Sequence, residues 1–232
     1  MSQPDDLARL RNEYADRERR LAGSDIYSWF NQANLFAIQG RQRAVLSSLR
    51  KAGVGSLENL HLLEVGCGSG GVLAELLSIG ASPGNLYGVD LLPDRLEAAH
   101  SRLPVSHFAN ADGSHLPFQD QSFDIVLQFT AISSILDERL RRSVCLDMLR
   151  VLKPGGLILS YDFWLNPTNQ QTRGIQQKEI RSLFPGCRYD YYKITLAPPL
   201  ARRIVPVSWI LALLLEKLGI LNSHYLVAIR PK

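Results

Sequence analysis

The stretch LLEVGCGSGG, residues 62–71, decides the fold. Leu62 to Val65 is a short apolar run of the kind that forms a buried strand. The glycines that follow, Gly66, Gly68 and Gly70, permit backbone angles closed to other residues and clear side chains from the path of a ligand. A helix is predicted from about Gly71 to Ile79, and its first turn offers free backbone N–H groups. Strand, glycine turn and helix together make a nucleotide-binding geometry at the carboxyl end of a strand.

Outward from this point, short apolar runs alternate with amphipathic segments. Strands are predicted at 61–65, 85–90, 106–110, 123–129 and 157–163, with helices at 93–103 and 137–152. The Lys153-Pro-Gly-Gly156 step reads as a helix stop. Such alternation specifies a parallel sheet covered on both faces. The tail differs: strand-like CRYDYYKITL (187–196), an apolar helix over 206–219, and a last strand HYLVAIR (224–230). The expected fold is therefore α/β, a Rossmann-like seven-stranded, mostly parallel sheet with helices on both faces and an antiparallel C-terminal strand. Residues 1–55 form an N-terminal helical arm or lid, and 56–232 the globular domain. Within the arm, helical spacing over 27–49 marks Trp29, Phe30, Leu35, Phe36, Ile38, Val45, Leu46 and Leu49 as buried.

Composition bounds the function. The chain has 232 residues, 46% of them hydrophobic, which suits one α/β domain with a full core. A net charge of +4 without basic runs interleaved with aromatics gives no nucleic-acid footprint. Three cysteines, Cys67, Cys145 and Cys187, have neither metal-ligand spacing nor a disulfide framework. The opening MSQPDDLARLRNEYADRERR is too charged for a signal peptide, and the apolar stretch at 205–215 is too short for a membrane span. The expected location is the cytoplasm, and no metal is expected.

Two cofactor classes fit the glycine turn. Gly66, Gly68 and Gly71 satisfy the dinucleotide pattern GxGxxG, and Asp90 ends the second strand where a ribose-binding carboxylate is needed. Both a nicotinamide dinucleotide and an adenosyl cofactor need that carboxylate. Tyr189 and Lys193 match the Tyr-x-x-x-Lys spacing of short-chain dehydrogenases, but a strand separates residues four apart by about 13 Å, too far for that pair.

The motifs that follow discriminate. ADGSHLPFQDQSFDIVLQF (111–129) and LRVLKPGGLILSYDF (149–163), taken with EVGCGSG and Asp90, resemble the class I S-adenosylmethionine-dependent methyltransferases, particularly their type 11 branch. The resemblance covers roughly Leu62 to Asp162. It implies that Glu64 organises the loop and that Gly66, Cys67 and Gly68 pass beside the methionine part of S-adenosyl-L-methionine. Asp90 would accept from the ribose hydroxyls and Leu91 would pack on the adenine. Asp112 would accept from the adenine amino group, with the Gly113 amide near the ring. Gln128 would face the methionine part through its backbone carbonyl. The stretch from 162 to 204, with its Y-D-F, N-P, R-G-I, L-F-P-G and T-L-A-P-P-L-A-R motifs, resembles methyltransferases of bacterial glycan and secondary-metabolite clusters. That implies a sugar-like, glycolipid or small-molecule acceptor, methylated on oxygen, with Asn166, Arg173 and Arg202 on the acceptor side.

Asp162, at the end of the fifth strand, is the candidate catalytic base. His115 reads as solvent-facing, His224 as structural, and Arg41 and Arg43 as a solvated helix face. Asp124 and His107 fall at the wrong ends of their strands. The apolar helix at 206–218 packs on the sheet, pairs with a second copy, or lies on a membrane surface. Besides the methyltransferase, a nicotinamide-dependent oxidoreductase and a non-catalytic cofactor-binding module remain open.

Overall fold

The computed structural model describes residues 3–166 and 169–232. Met1 and Ser2 of the arm and Pro167 of the N-P motif lie outside the described residues. Seven strands form one sheet: β1 (Leu62–Val65), β2 (Leu86–Asp90), β3 (His107–Asn110), β4 (Phe123–Phe129), β5 (Leu152–Phe163), β6 (Cys187–Leu196) and β7 (Asn222–Pro231). Their order is β3-β2-β1-β4-β5-β7-β6. The five strands from β3 to β5 are parallel, and β7 runs antiparallel to both β5 and β6. The strand order reverses between β1 and β4, and the crevice above that switch point is where open α/β sheets bind ligands.

Alternation along the strands divides the core between two faces. On one face Leu63, Val65, Val126 and Ile158 pack with α1 (Gln3–Leu21), α5 (Glu138–Val151) and α6 (Gln177–Leu183). On the other, Leu62, Ile125, Leu127 and Leu159 pack with α2 (Gln32–Lys51), α3 (Gly71–Ser78) and α4 (Pro93–Arg102). A third cluster joins α2 to α7 (Pro198–Ile204) and α8 (Trp209–Leu218).

Three local readings are corrected. Asn31 caps α2 by accepting the Ala33 and Asn34 N–H groups, so the helix starts only at Gln32. Residues 27–31 therefore fall outside the helical periodicity. Trp29 and Phe30 are exposed, while Phe36, Val45 and Leu49 are buried as expected. Second, the Lys153-Pro-Gly-Gly156 step is not a turn between helix and strand. The helix ends at Val151, and β5 begins at once, paired through Leu152 with Phe123 and bulged before Ile125. The ladder partner across β4, which one sequence does not reveal, overrides the turn chemistry. Third, Arg41 is not on a solvated face. It is mostly buried, bonded to Glu75, and lies over the rings of Phe129 and Tyr161.

The arm is held by a buried carboxylate. Asp6 accepts the N–H groups of Leu136 and Asp137, both at 2.9 Å, and pairs with Arg9 at 2.7 Å. Arg9 continues to the Ser134 carbonyl. These contacts clamp α1 over the loop that precedes α5. Asp6→Ala leaves two buried N–H groups without an acceptor and is expected to cost about 1–3 kcal/mol. Thermal melting should show the loss and limited proteolysis should cut within 3–21 first. An unchanged melting temperature and cleavage pattern would contradict the clamp.

Candidate functional site

The turn after β1 is built by positive backbone angles. Gly66 and Gly68 have φ of 76° and 52°, in the left-handed region that glycine enters freely. A Cβ on Gly66 would also stand 2.7 Å from the Ala131 Cβ, so no side chain fits there. The turn is stitched to β2: the Gly66 and Cys67 N–H groups donate to the Val89 carbonyl, and the Gly68 N–H donates to Asp90 Oδ2 at 2.8 Å. Asp90 Oδ1 accepts the Leu92 N–H at 3.0 Å. Each oxygen is thus fixed by one backbone donor, with further acceptor capacity left.

Above these residues lies a cavity of about 730 Å³, within the range of small-molecule sites of about 300–1,000 Å³. Glu64, Gly66, Cys67, Gly68, Asp90, Leu91, Asp112 and Gly113 all line it. Asp112 Oδ1 accepts the Ser114 N–H and hydroxyl, which fixes the carboxylate at the cavity wall. Glu64 is only 2% exposed, and its Oε2 has no hydrogen-bond partner. Burial holds this carboxyl well above the usual range, with Arg41 opposing it. A buried carboxyl edging a cavity with an unsatisfied oxygen suits a ligand that carries positive charge.

The side chains of Gln128 and Asp162 do not line the cavity. Gln128 is fully buried inside β4: its amide donates to Ser160 Oγ, and its Oε1 accepts the Ala131 and Ile132 N–H groups. The wall there is made by Phe129, Thr130 and Ala131 instead. Asp162 is 5% exposed and spends both oxygens on main-chain donors, Ser133 N–H at 3.0 Å and Phe163 N–H at 2.9 Å. It shapes the turn at 131–134 from behind and does not line the cavity. Asn166, Arg173 and Arg202 do not line it either. Arg173 is engaged by Glu138 and Glu179, both at 3.0 Å, and Arg202 lies exposed on α7. His115 faces solvent, and His224 is stacked on Tyr161 in the core. Tyr189 and Lys193 sit on β6, with the Tyr189 hydroxyl on the Phe184 carbonyl.

The residues that sequence reasoning missed come from α1 and from the end of β4. Leu7, Leu10, Tyr14 and Arg17 close one side of the cavity. The Tyr14 hydroxyl donates to Ser134 Oγ at 3.2 Å, its ring carries the Arg95 guanidinium at 4.3 Å, and Arg17 bonds the Tyr27 hydroxyl. Thr130 has φ of 62°, a conformation that costs a non-glycine residue energy and recurs at binding sites. No residue type marks that strain; the φ is visible only in the folded chain.

A methyltransferase-domain family matches residues 63–160, the span from β1 to β5 that carries the turn, Asp90 and Asp112. Over that span the chain is similar to S-adenosylmethionine-dependent methyltransferases. A sterol 4-C-methyltransferase of Caenorhabditis elegans is 32% identical over 113 residues, 45% of this chain and 31% of that protein. A phthiotriol/phenolphthiotriol dimycocerosates methyltransferase of Mycobacterium ulcerans is 36% identical over 116 residues, 49% of this chain and 41% of that one. In both cases the match spans less than half of the relative's length. Among solved structures, an amino pentose methyltransferase from Micromonospora echinaspora with S-adenosylmethionine bound superposes with a TM-score of 0.60 at 18% identity, covering 82% of this chain and 90% of that one. The glycine turn, Asp90 and Asp112 thus sit in the part of the chain that the family shares, while the α1 side of the cavity lies outside it.

The buried acid behind the site makes a pH prediction. Burial pushes Asp162 up to about 6 from 3.8, with hydrogen bonds from Ser133 opposing. A carboxyl that holds its proton more tightly when folded contributes less stability as pH rises from about 4 to 6, and a constant amount above. His224, driven down to about 3 chiefly by burial and then by Arg41, has the opposite slope below 6.5. The two overlap in the wild type. Asp162→Asn removes one of them, so the stability of the variant relative to wild type should rise by about 3 kcal/mol between pH 4 and 6. Denaturant titrations across that range measure it. A difference independent of pH would contradict the assignment.

Proposed function

We infer that this methyltransferase transfers the methyl group of S-adenosylmethionine to a small hydroxyl-bearing acceptor of sugar-like or glycolipid type. The observation that carries the reading is that Glu64, the glycine turn, Asp90 and Asp112 converge on one cavity that α1 and the end of β4 help to close. The cofactor supplies a sulfonium-bound methyl, already a good electrophile. In this reading Asp90 uses its free acceptor capacity on the ribose hydroxyls, Asp112 receives the adenine amino group, and Glu64 faces the positively charged methionine part. Leu7, Leu10 and Tyr14 exclude water from the reacting side, and the helix presents Tyr14 and Arg17 toward the acceptor. Alignment of nucleophile and methyl within such a closed space can contribute about 7–11 kcal/mol. Two of the relatives act, by their names, on a sterol and on phthiotriol or phenolphthiotriol dimycocerosates, which supports an amphiphilic acceptor.

Isothermal titration with S-adenosylhomocysteine and with NADH separates this reading from an oxidoreductase. The homocysteine ligand should bind and the dinucleotide should not. Asp90→Ala removes a charged acceptor and should weaken the ligand about 10–100-fold. Binding of NADH instead, or wild-type affinity in the variant, would refute the reading.

A further inference from the structure

We propose that α8 and the 27–31 loop form a docking surface for an anionic lipid bilayer, beside the opening of the cavity. The inner face of α8 is fully accounted for. Trp209 packs edge-on against Phe36, Ala212 is buried, and Glu216 lies against Gly40 of α2 with Arg43 at 3.6 Å. The outer face carries Ile210, Leu214 and Leu218 at four-residue spacing, one stripe of a helix. These side chains are 72%, 57% and 67% exposed. A sheet-packed helix would hide them, so that alternative accounts only for the inner face.

The loop before α2 extends the patch. Phe30 is 98% exposed and Trp29 stands out beside it. Phe36, in the first turns of α2, meets Trp209 in the first turn of α8, so loop and helix start share one end of the molecule. Tyr27, three residues before Phe30, lines the cavity. The apolar patch therefore reaches the rim of the site.

Charge selects the occupant. From Pro198 to Leu221 the cations are Arg202, Arg203 and Lys217, all exposed and without an ion pair among the described residues. The sole carboxylate in that span, Glu216, is turned inward. A twofold contact between copies through α7 and α8 would oppose Arg202, Arg203 and Lys217 with no exposed acid within 198–221 to separate them. An anionic headgroup layer complements them. The helix is ten residues long, about 15 Å, against a hydrocarbon core of about 30 Å, and no helix among the described residues is long and apolar enough to cross a membrane. It lies in the interface plane. Only one consequence rests on the methyl-transfer reading: the acceptor is then one held in the bilayer and presented to the cavity rim.

The full chain is tested by flotation with phosphatidylcholine vesicles, with and without phosphatidylglycerol. Wild type should float with the anionic vesicles and bind the neutral ones roughly a hundred-fold more weakly, from three cations each favoured at the surface. The combined variant Ile210→Ser, Leu214→Ser, Leu218→Ser should lose flotation while keeping its melting temperature and its affinity for S-adenosylhomocysteine. Arg202→Glu, Arg203→Glu, Lys217→Glu gives an independent arm and should abolish the preference for anionic lipid. Wild type that floats with neither vesicle, or variants that float as wild type does, would overturn the proposal. So would a dimer in sedimentation velocity that the serine variant dissolves, since a second copy would then be the occupant. None of these readouts requires turnover, so they fail or succeed apart from the proposed activity.

Discussion

One carboxylate holds the site together. Asp90 binds the glycine turn through the Gly68 N–H and the start of the next loop through the Leu92 N–H, while its own carbonyl receives Ala111 and the Asn110 amide. Three loops at the carboxyl edge of the sheet are thereby tied to one residue at the end of β2. Without the carboxylate, the Gly68 N–H loses its acceptor and the left-handed turn loses the bond that offsets its conformational cost. The positions of Glu64, Gly66 and Asp112 around the cavity all depend on that frame.

A second layer of buried polar groups supports the first. Gln128 and Asp162 bind the main chain of the 131–134 turn, whose Ala131 fills the space that a side chain on Gly66 would need. Asp6 of α1 and Arg9 grip the far end of the same turn and the residues after it. The turn after β4 is therefore determined from three sides, which is how Thr130 can be kept at a positive φ. On the opposite face of the sheet, Arg41 is bonded to Glu75, sits over Phe129 and Tyr161, and favours the charged form of Glu64. The cavity is polar along Glu64, Asp90 and Asp112, and mixed along α1, where Leu7 and Leu10 stand beside Tyr14 and Arg17.

The sheet was legible because central parallel strands are buried on both faces and read as apolar runs: LLEV, LYGVD and FDIVLQF fall where expected. The glycine turn and Asp90 were legible for a related reason, since local backbone freedom and a strand-end acid are written in adjacent letters. What one sequence hides is distance. Asp162 stands at the end of its strand as foreseen, yet the turn 29 residues earlier claims its oxygens. Gln128 is likewise directed inward by Ser160 on the neighbouring strand. An N-terminal helical arm or lid was expected, but the clamp that seats α1 was not legible, because Asp6 finds its partners 130 residues away. Trp29 and Phe30 misled because an aromatic-rich stretch resembles core until its helix cap is located, and their exposure is what gives the outer surface its character.

A crystal structure of the chain with S-adenosylhomocysteine tests the central claim most directly. The account predicts the ligand in the cavity between the glycine turn and α1, with both ribose hydroxyls within hydrogen-bonding distance of the Asp90 carboxylate and the adenine beside Asp112. A ligand bound elsewhere, or a ribose held by other side chains while Asp90 serves only the Gly68 and Leu92 N–H groups, would contradict it.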